Sequence, residues 1–142
     1  MYVQGRELHV GEIYLMKFSG SNSEQRGWRP GLVVQNNVGN KYSPNTIAYP
    51  LTSVIKKMQQ PTHVLVSAKE TGLKSDSVVL CENPERISKR NVGQYLTKLP
   101  NQYMERIAVA SLLATSVISY LDERDLITAW RKAQSINSCE SE

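Results

Sequence analysis

Short apolar runs separated by turn residues fill the first two-thirds of the chain. Five of these runs are rich in β-branched or aromatic residues and predict strands, over residues 13–18, 30–35, 46–52, 62–66 and 77–82. Pro50 within the third run indicates an edge position or a bulge, because proline cannot donate to a ladder. Asn36 to Pro44 collects Asn, Gly, Ser and Pro and predicts a connection. Five strands at short intervals favour a small barrel over a βαβ arrangement.

The spacing of apolar residues becomes helical after Pro100. Apolar positions between Tyr103 and Leu121 predict one helix, with Asn101 as its N-cap. From Ile107 onward this helix is apolar or small on nearly every side, a pattern typical of a helix that is covered on more than one side. In a domain of this size, we expect a second subunit to provide part of that cover.

A second helix is predicted from Asp122 to Gln134. It carries an apolar stripe that is expected to pack, formed by Leu126, Ile127, Trp130 and Ala133. The pattern therefore predicts a mainly β domain with a C-terminal helix over residues 1–121. A tail that is helical and then frayed is expected over residues 122–142.

Composition agrees with one globular domain of 142 residues, 40% hydrophobic and 21% charged. The net charge of +4 is compatible with a polyanionic partner but does not identify one. The N-terminus has no long apolar segment, so we expect a cytoplasmic protein. Cys81 and Cys139 have no neighbours at metal-ligand spacing, which favours reduced thiols in preference to a zinc site, with a single disulfide as the alternative.

No phosphate-binding loop, dinucleotide fingerprint or nucleophile elbow is present in the sequence. His9 and His63 are candidates for an acid–base pair, but nothing in their spacing brings them together. Two other segments stand out, at residues 23–30 and 36–53. The first is a charged loop that leads into Arg29 at the start of a strand, and the second ends a neighbouring strand at Thr52.

Motifs in and around these segments carry a specific resemblance. They occur in order between about residue 9 and residue 120, at Gly11–Tyr14, Arg29-Pro30, Leu32–Asn36, Gly39–Pro44, Leu51–Ser53, Pro61–Val64, Glu70–Lys74 and Asp76–Glu82. Each motif alone is weak, but the whole series in this order is similar to the MazF/PemK family of toxins.

The resemblance implies an SH3-like barrel with a C-terminal helix, assembled as a homodimer. It implies cleavage of single-stranded RNA at a short sequence without a metal or cofactor, restrained by a cognate antitoxin. The catalytic arginine of the family falls on Arg29 and its catalytic threonine on Thr52, while Glu24 is the loop acid. The remaining RNA-binding candidates are Ser23, Gln25, Trp28 and Ser53.

These residue types suit the chemistry. In metal-free cleavage the neighbouring 2′-hydroxyl attacks the phosphorus, so the enzyme has to align atoms and stabilise growing negative charge. Arginine presents a planar fork of donors to phosphate oxygens, and Thr52 can donate a further hydrogen bond. Glu24 is a weaker candidate for the base. Trp28 is expected either to stack on an unpaired base or to cover the barrel.

The chain departs from the family pattern at Arg26, which adds a charge beside the site, and at Asn83-Pro84-Glu85. There, proline is expected to end the strand early, and Glu85 to bring negative charge near the RNA. Two other functions stay open. One is a binding toxin of the CcdB type, which traps DNA gyrase, and the other is a barrel that binds RNA or protein without cleaving it.

Overall fold

Seven β-strands and four α-helices form the part of the chain that the computed structural model describes, residues 6–19, 27–53 and 60–138. The strands are β1 (Glu12–Lys17), β2 (Trp28–Val33), β3 (Asn45–Thr52), β4 (His63–Val66), β5 (Ser77–Leu80), β6 (Glu85–Ser88) and β7 (Val92–Lys98). The helices are α1 (Asn37–Tyr42), α2 (Ala68–Thr71), α3 (Asn101–Leu113) and α4 (Glu123–Ser138). The predicted mainly β architecture with C-terminal helices is confirmed.

The strands form one antiparallel sheet in the order β4-β5-β3-β2-β1-β7. β3 is central: its first half pairs with β6, its last two residues pair with β5, and β2 pairs along its other edge. Pro50 lies between the β6 and β5 ladders, opposite Gly31. Of the two expected positions, an edge strand was wrong, because β3 pairs along both of its edges, and the change of partner strand at Pro50 accommodates the proline.

The five predicted strands are all present, but the sequence missed β6 and β7. Neither shows clean alternation of apolar and polar residues, and each is defined mainly by its pairing, β6 with β3 and β7 with β1. Among the described residues, β4 and β7 lie at the two ends of the sheet order, and no ladder connects them.

Helix α1 was also missed, because its Asn- and Gly-rich sequence is typical of a connection. The Asn36 side chain caps the helix by accepting a hydrogen bond from the Gly39 amide at 2.8 Å. Asn40 is fully buried, donates to the Gln35 carbonyl at 2.9 Å and accepts from the Thr46 hydroxyl at 2.7 Å. The polar side chains that predicted a loop therefore find their hydrogen-bond partners at and within a short helix.

Helix α3 packs beside β4 and covers one of two apolar clusters of the sheet. Its buried side chains are those of Tyr103, Ile107 and Ala110. Pro100, and not Asn101, is the N-cap, and the helix ends at Leu113 instead of continuing to residue 121. Beyond it, a 3₁₀ turn covers Val117–Tyr120. Met104 and Ser111 are partly buried, and the other residues of α3 are exposed within this chain.

Helix α4 begins one residue later than predicted, with the Asp122 carboxylate accepting from the Asp125 amide at 2.8 Å. Its apolar stripe does not pack on the chain, since Leu126, Ile127 and Trp130 are all exposed. No helix among the described residues is long and apolar enough to cross a membrane.

Two buried acidic groups keep their protons to high pH. Burial, together with the smaller effect of the nearby Glu82 carboxylate, raises the pKa of the Cys81 thiol from 9.0 to about 12. Burial also raises the pKa of Tyr14 from 10.0 to about 12, although its hydroxyl accepts from the Arg6 guanidinium at 2.9 Å. The same hydroxyl donates to the Glu12 carboxylate at 2.9 Å.

These raised pKa values predict a loss of stability at alkaline pH. Above pH 9 the Cys81 thiol ionises in the unfolded chain but not in the folded one, so the free energy of unfolding falls as pH rises towards 12. Each such group contributes a slope of up to about 1.4 kcal/mol per pH unit. Urea unfolding at pH 8, 9 and 10 should show this slope, and Cys81→Ala should make it shallower. An equal slope in the variant would assign the effect to other groups.

Candidate nucleic-acid interface

A groove of about 680 Å³ opens where the start of β2, the end of β3, the segment before β5 and the strand β7 meet. Its polar lining includes Arg29, Thr52, Ser53, Lys74, Ser75 and Gln94, and its apolar lining includes Leu15, Trp28, Pro30, Leu51, Leu73 and Leu96. The lining in the described part of the chain carries two cations and no carboxylate. An anionic ligand therefore meets favourable charge and a partly apolar wall in the same place.

Arg29 lies half-buried at the start of β2, in register with Met16 of β1. Its guanidinium carbon is 5.1 Å from the centre of the Phe18 ring, within the range of a cation–π contact. Burial lowers the pKa of Arg29, and the nearby Glu85 carboxylate acts in the opposite direction. The side chain keeps its positive charge, because arginine remains protonated at physiological pH even when its pKa is lowered.

Glu85 connects the start of β6 to the end of β1. Its carboxylate accepts hydrogen bonds from the Ser19 amide, at 2.7 Å, and from the Ser19 hydroxyl. Residues 20–26, which follow Ser19, lie outside the described ranges. The departure at Glu85 thus holds Ser19 in place and adds a negative charge that acts on Arg29. The strand β5 ends at Leu80, before Pro84 is reached, and Pro84 directly precedes the next strand, β6.

Thr52 and Ser53 reach the groove from the end of β3, where Thr52 is in register with Val78 of β5. Trp28 is 41% exposed and lines the same groove beside Arg29. The structure thus brings together four of the seven predicted site residues: Arg29, Thr52, Trp28 and Ser53. The other three, Ser23, Glu24 and Gln25, lie outside the described residues, as does Arg26.

Lys74 and Gln94 line the groove and were not predicted as site residues. Lys74 follows α2 in a motif that the sequence associated with the family but not with the site. Gln94 lies on β7, a strand that the sequence missed. The basic character of Lys74 was the available signal. For Gln94 there was none, because its position depends on the pairing of β7 with β1.

The two histidines have separate carboxylate partners. His63 Nε2 lies 2.7 Å from Glu82, and His9 Nδ1 lies 3.6 Å from Glu12. Neither lines the groove. In the described ranges, no three residues among His, Cys, Asp and Glu form a group suited to a metal ion.

Sequence and structural comparisons connect this chain with known proteins. The profile of the PemK-like, MazF-like toxins of type II toxin–antitoxin systems matches residues 9–114. Endoribonuclease EndoA of Bacillus subtilis (strain 168) is 36% identical over 111 residues, which span 78% of this chain and 96% of that protein.

Solved structures share the fold. MazF (Form-I) of Deinococcus radiodurans has a TM-score of 0.64 at 23% identity, over 78% of this chain and 99% of that one. An endoribonuclease in complex with its cognate antitoxin, from Mycobacterial species, has a TM-score of 0.63 at 26% identity, over 75% of this chain and 93% of that one.

The space that Phe18 occupies beneath Arg29 depends on Gly31. A β-carbon at Gly31 would lie 2.6 Å from the Met16 sulfur and 2.7 Å from the Phe18 ring. Gly31→Ala should therefore displace both side chains and lower the free energy of unfolding by about 1–3 kcal/mol, as overpacking does. Gly27→Ala is the matched control, since nothing lies within 4 Å of its added carbon. Urea unfolding compares the two, and equal stabilities would contradict the packing described here.

Proposed function

The chain belongs to the PemK-like, MazF-like toxins of type II toxin–antitoxin systems, and from this premise we propose that it is a metal-independent endoribonuclease that cleaves single-stranded messenger RNA in the groove around Arg29. The observation that carries this proposal is the placement of Arg29 and Thr52 on adjacent strands of one groove. Lys74 supplies a second cation on the segment before β5.

Cleavage begins with attack by a ribose 2′-oxygen on the adjacent phosphorus. The bond from the 2′-oxygen to phosphorus forms, and the bond from phosphorus to the 5′-oxygen breaks. The products are a 2′,3′-cyclic phosphate and a free 5′-hydroxyl, so no water and no covalent enzyme group enters this step. The enzyme has to hold the two oxygens in line and stabilise the charge that grows on the phosphoryl oxygens.

Arg29 takes the second of these roles. Its partial burial reduces solvent screening, so its charge acts more strongly on a phosphate in the groove. Arg29 stays protonated throughout the step, and the proton that the 2′-hydroxyl loses balances the one that the leaving 5′-oxygen gains. Thr52 donates a hydrogen bond to a phosphoryl oxygen or to the 2′-oxygen.

The loop before β2 supplies the remaining contacts in this proposal. Glu24 accepts the proton of the 2′-hydroxyl or aligns it, while Ser23 and Gln25 bind RNA. Trp28 stacks on an unpaired base, for which its exposed indole beside Arg29 is suited. Ser53 adds a polar contact next to Thr52. The resemblance to the family supports the assignments of Ser23, Glu24 and Gln25, whereas Trp28 and Ser53 are assigned from their positions in the groove.

The assembly follows from the same premise. Residues 1–121 form the toxin domain, an SH3-like barrel that acts as a homodimer in the cytoplasm, where a cognate antitoxin restrains it. The homodimer interface covers the apolar residues that α3 leaves exposed, which are Val109, Leu112 and Leu113. Exposed patches of this kind mark interaction surfaces. Residues 122–142 form a separate tail.

Replacing Arg29 tests the catalytic assignment. Arg29→Ala should reduce the cleavage rate of a long unstructured RNA by about 100- to 1000-fold, the usual effect of removing one charge stabiliser worth about 3–4 kcal/mol. The assay contains excess chelator, so that a contaminating metal-dependent nuclease does not contribute.

Arg86→Ala provides the control, because Arg86 is an exposed arginine on β6 of the same sheet but does not line the groove. It should cleave at nearly the wild-type rate. Wild-type cleavage by Arg29→Ala would refute the assignment. An absence of cleavage by the folded wild-type chain would favour a toxin or RNA-binding protein without nuclease activity.

Lys74 should contribute to RNA binding through a phosphate contact. Each phosphate contact to a single strand contributes about 0.7 to the slope of log affinity against log salt concentration. Lys74→Gln should reduce that slope by about 0.7, whereas Lys41→Gln, an exposed lysine on α1 outside the groove, should leave it unchanged. Binding is measured with 2′-fluoro RNA, which lacks the nucleophile. Equal slopes for both variants would remove Lys74 from the interface.

A further inference from the structure

Helix α4 is exposed along its length, although one of its faces is apolar. Between Glu123 and Asn137 no side chain is buried, and Ile127 and Trp130 are 51% and 62% exposed. The helix has 16 residues, and an isolated helix of that length is only marginally stable in water. It contacts α1, but this contact leaves the apolar stripe open. The stripe is therefore suited to a partner outside its own chain.

A run of exposed apolar residues connects α3 with α4 along the chain. These residues lie on α3, on the 3₁₀ turn and directly before α4, at Val109, Leu112, Leu113, Val117, Tyr120 and Leu121. Only Leu121 and Asp122 separate the turn from α4. Exposed apolar residues thus lead along the chain from the proposed homodimer interface on α3 to the stripe of α4, which points to a second copy of this chain as the occupant.

Four of the five charged residues of α4 form two pairs of opposite charge with nearly the same midpoint, and the fifth, Arg124, lies roughly 200° around the helix from Leu126, away from the apolar stripe. The midpoint of Asp125 and Lys132 is position 128.5, and that of Glu123 and Arg131 is position 127. Leu126 and Trp130 are centred on position 128. Two such helices that run antiparallel about a two-fold axis near residue 128 place acidic residues beside basic ones and Leu126 beside Trp130. A two-fold interface requires this kind of self-complementary surface.

We propose that α4 pairs antiparallel with α4 of a second copy of this chain and so extends the homodimer. Leu126 packs on Trp130 of the partner subunit, and Asp125 lies beside Lys132 of the partner subunit. Asp125 and Lys132 are seven residues apart, so they share one side of the helix and meet across an antiparallel pair. This inference rests on the homodimer of the proposed function. It concerns residues beyond position 114, where the match to the family profile ends.

Exchanging two charges tests the pairing. Asp125→Lys alone and Lys132→Asp alone each place like charges opposite one another at two symmetric positions. Each should raise the dissociation constant of the dimer by about threefold to thirtyfold, as expected for the loss of two exposed ion pairs. The double variant Asp125→Lys/Lys132→Asp recreates opposite charges and should recover most of the lost affinity. Sedimentation equilibrium without RNA measures all four proteins, each carrying Arg29→Ala to prevent cleavage in the producing cells.

If Asp125 and Lys132 only stabilised their own helix, the double variant would not recover dimer affinity but would lose more of it than either single variant. A lysine in the first turn and an aspartate nearer the C-terminus both oppose the helix dipole, so the double variant would then be the weakest. That order, equal affinities for all four proteins, or a monomeric parent protein would each overturn the proposal. RNA cleavage plays no part in the measurement, so a failure of the nuclease assignment gives a separate result.

The apolar contact has its own control on the opposite face of α4. Trp130→Ser should weaken the dimer by at least about thirtyfold, as expected for a buried tryptophan in an interface, whereas Thr128→Ala should leave it unchanged. If Trp130→Ser preserves dimer affinity but abolishes binding of the co-purified antitoxin, the stripe belongs to the antitoxin, and pairing between copies is wrong.

Discussion

A guanidinium that is partly removed from water determines how the groove is built. The start of β2 holds Arg29 above the Phe18 ring, and Phe18 fits there because Gly31 has no side chain. The Glu85 carboxylate acts on Arg29 as a nearby opposite charge and also accepts a hydrogen bond from the Ser19 amide. The arrangement keeps a strong cation where a phosphate can reach it. Packing of the sheet and chemistry of the groove therefore depend on the same few contacts.

The second constraint is the amount of apolar surface that this chain leaves exposed. Helix α3 buries one face against the sheet, and exposed apolar residues follow it along the chain through the 3₁₀ turn to α4. Covering those residues by a second copy would connect dimer formation to the tail, which is the part of the chain beyond the family profile. The groove lies within the residues that match the family profile, whereas α4 lies beyond them and, in our proposal, adds an association surface.

The sequence predicted elements that are determined locally and missed those that depend on distant pairing. Runs such as Leu32–Val34 identified strands, and Asp122 marked the start of α4. Helix α1 was predicted as a loop because the hydrogen bonds of Asn40, to Gln35 and Thr46, form only in the folded chain. The same limit applies to the site. Arg29 and Thr52 were found through the resemblance, whereas Gln94 enters the groove on a strand that is defined by its long-range ladder with β1.

In the proposed mechanism the nucleophile is the 2′-hydroxyl of the RNA itself. The chemical ends of the cleavage products, analysed by mass spectrometry after reaction in excess chelator, test this most directly. The account predicts a 2′,3′-cyclic phosphate on one fragment and a 5′-hydroxyl on the other, with no cleavage where the ribose carries a 2′-fluoro group. Fragments that carry a 5′-phosphate and a 3′-hydroxyl would contradict it, because they require water as the nucleophile.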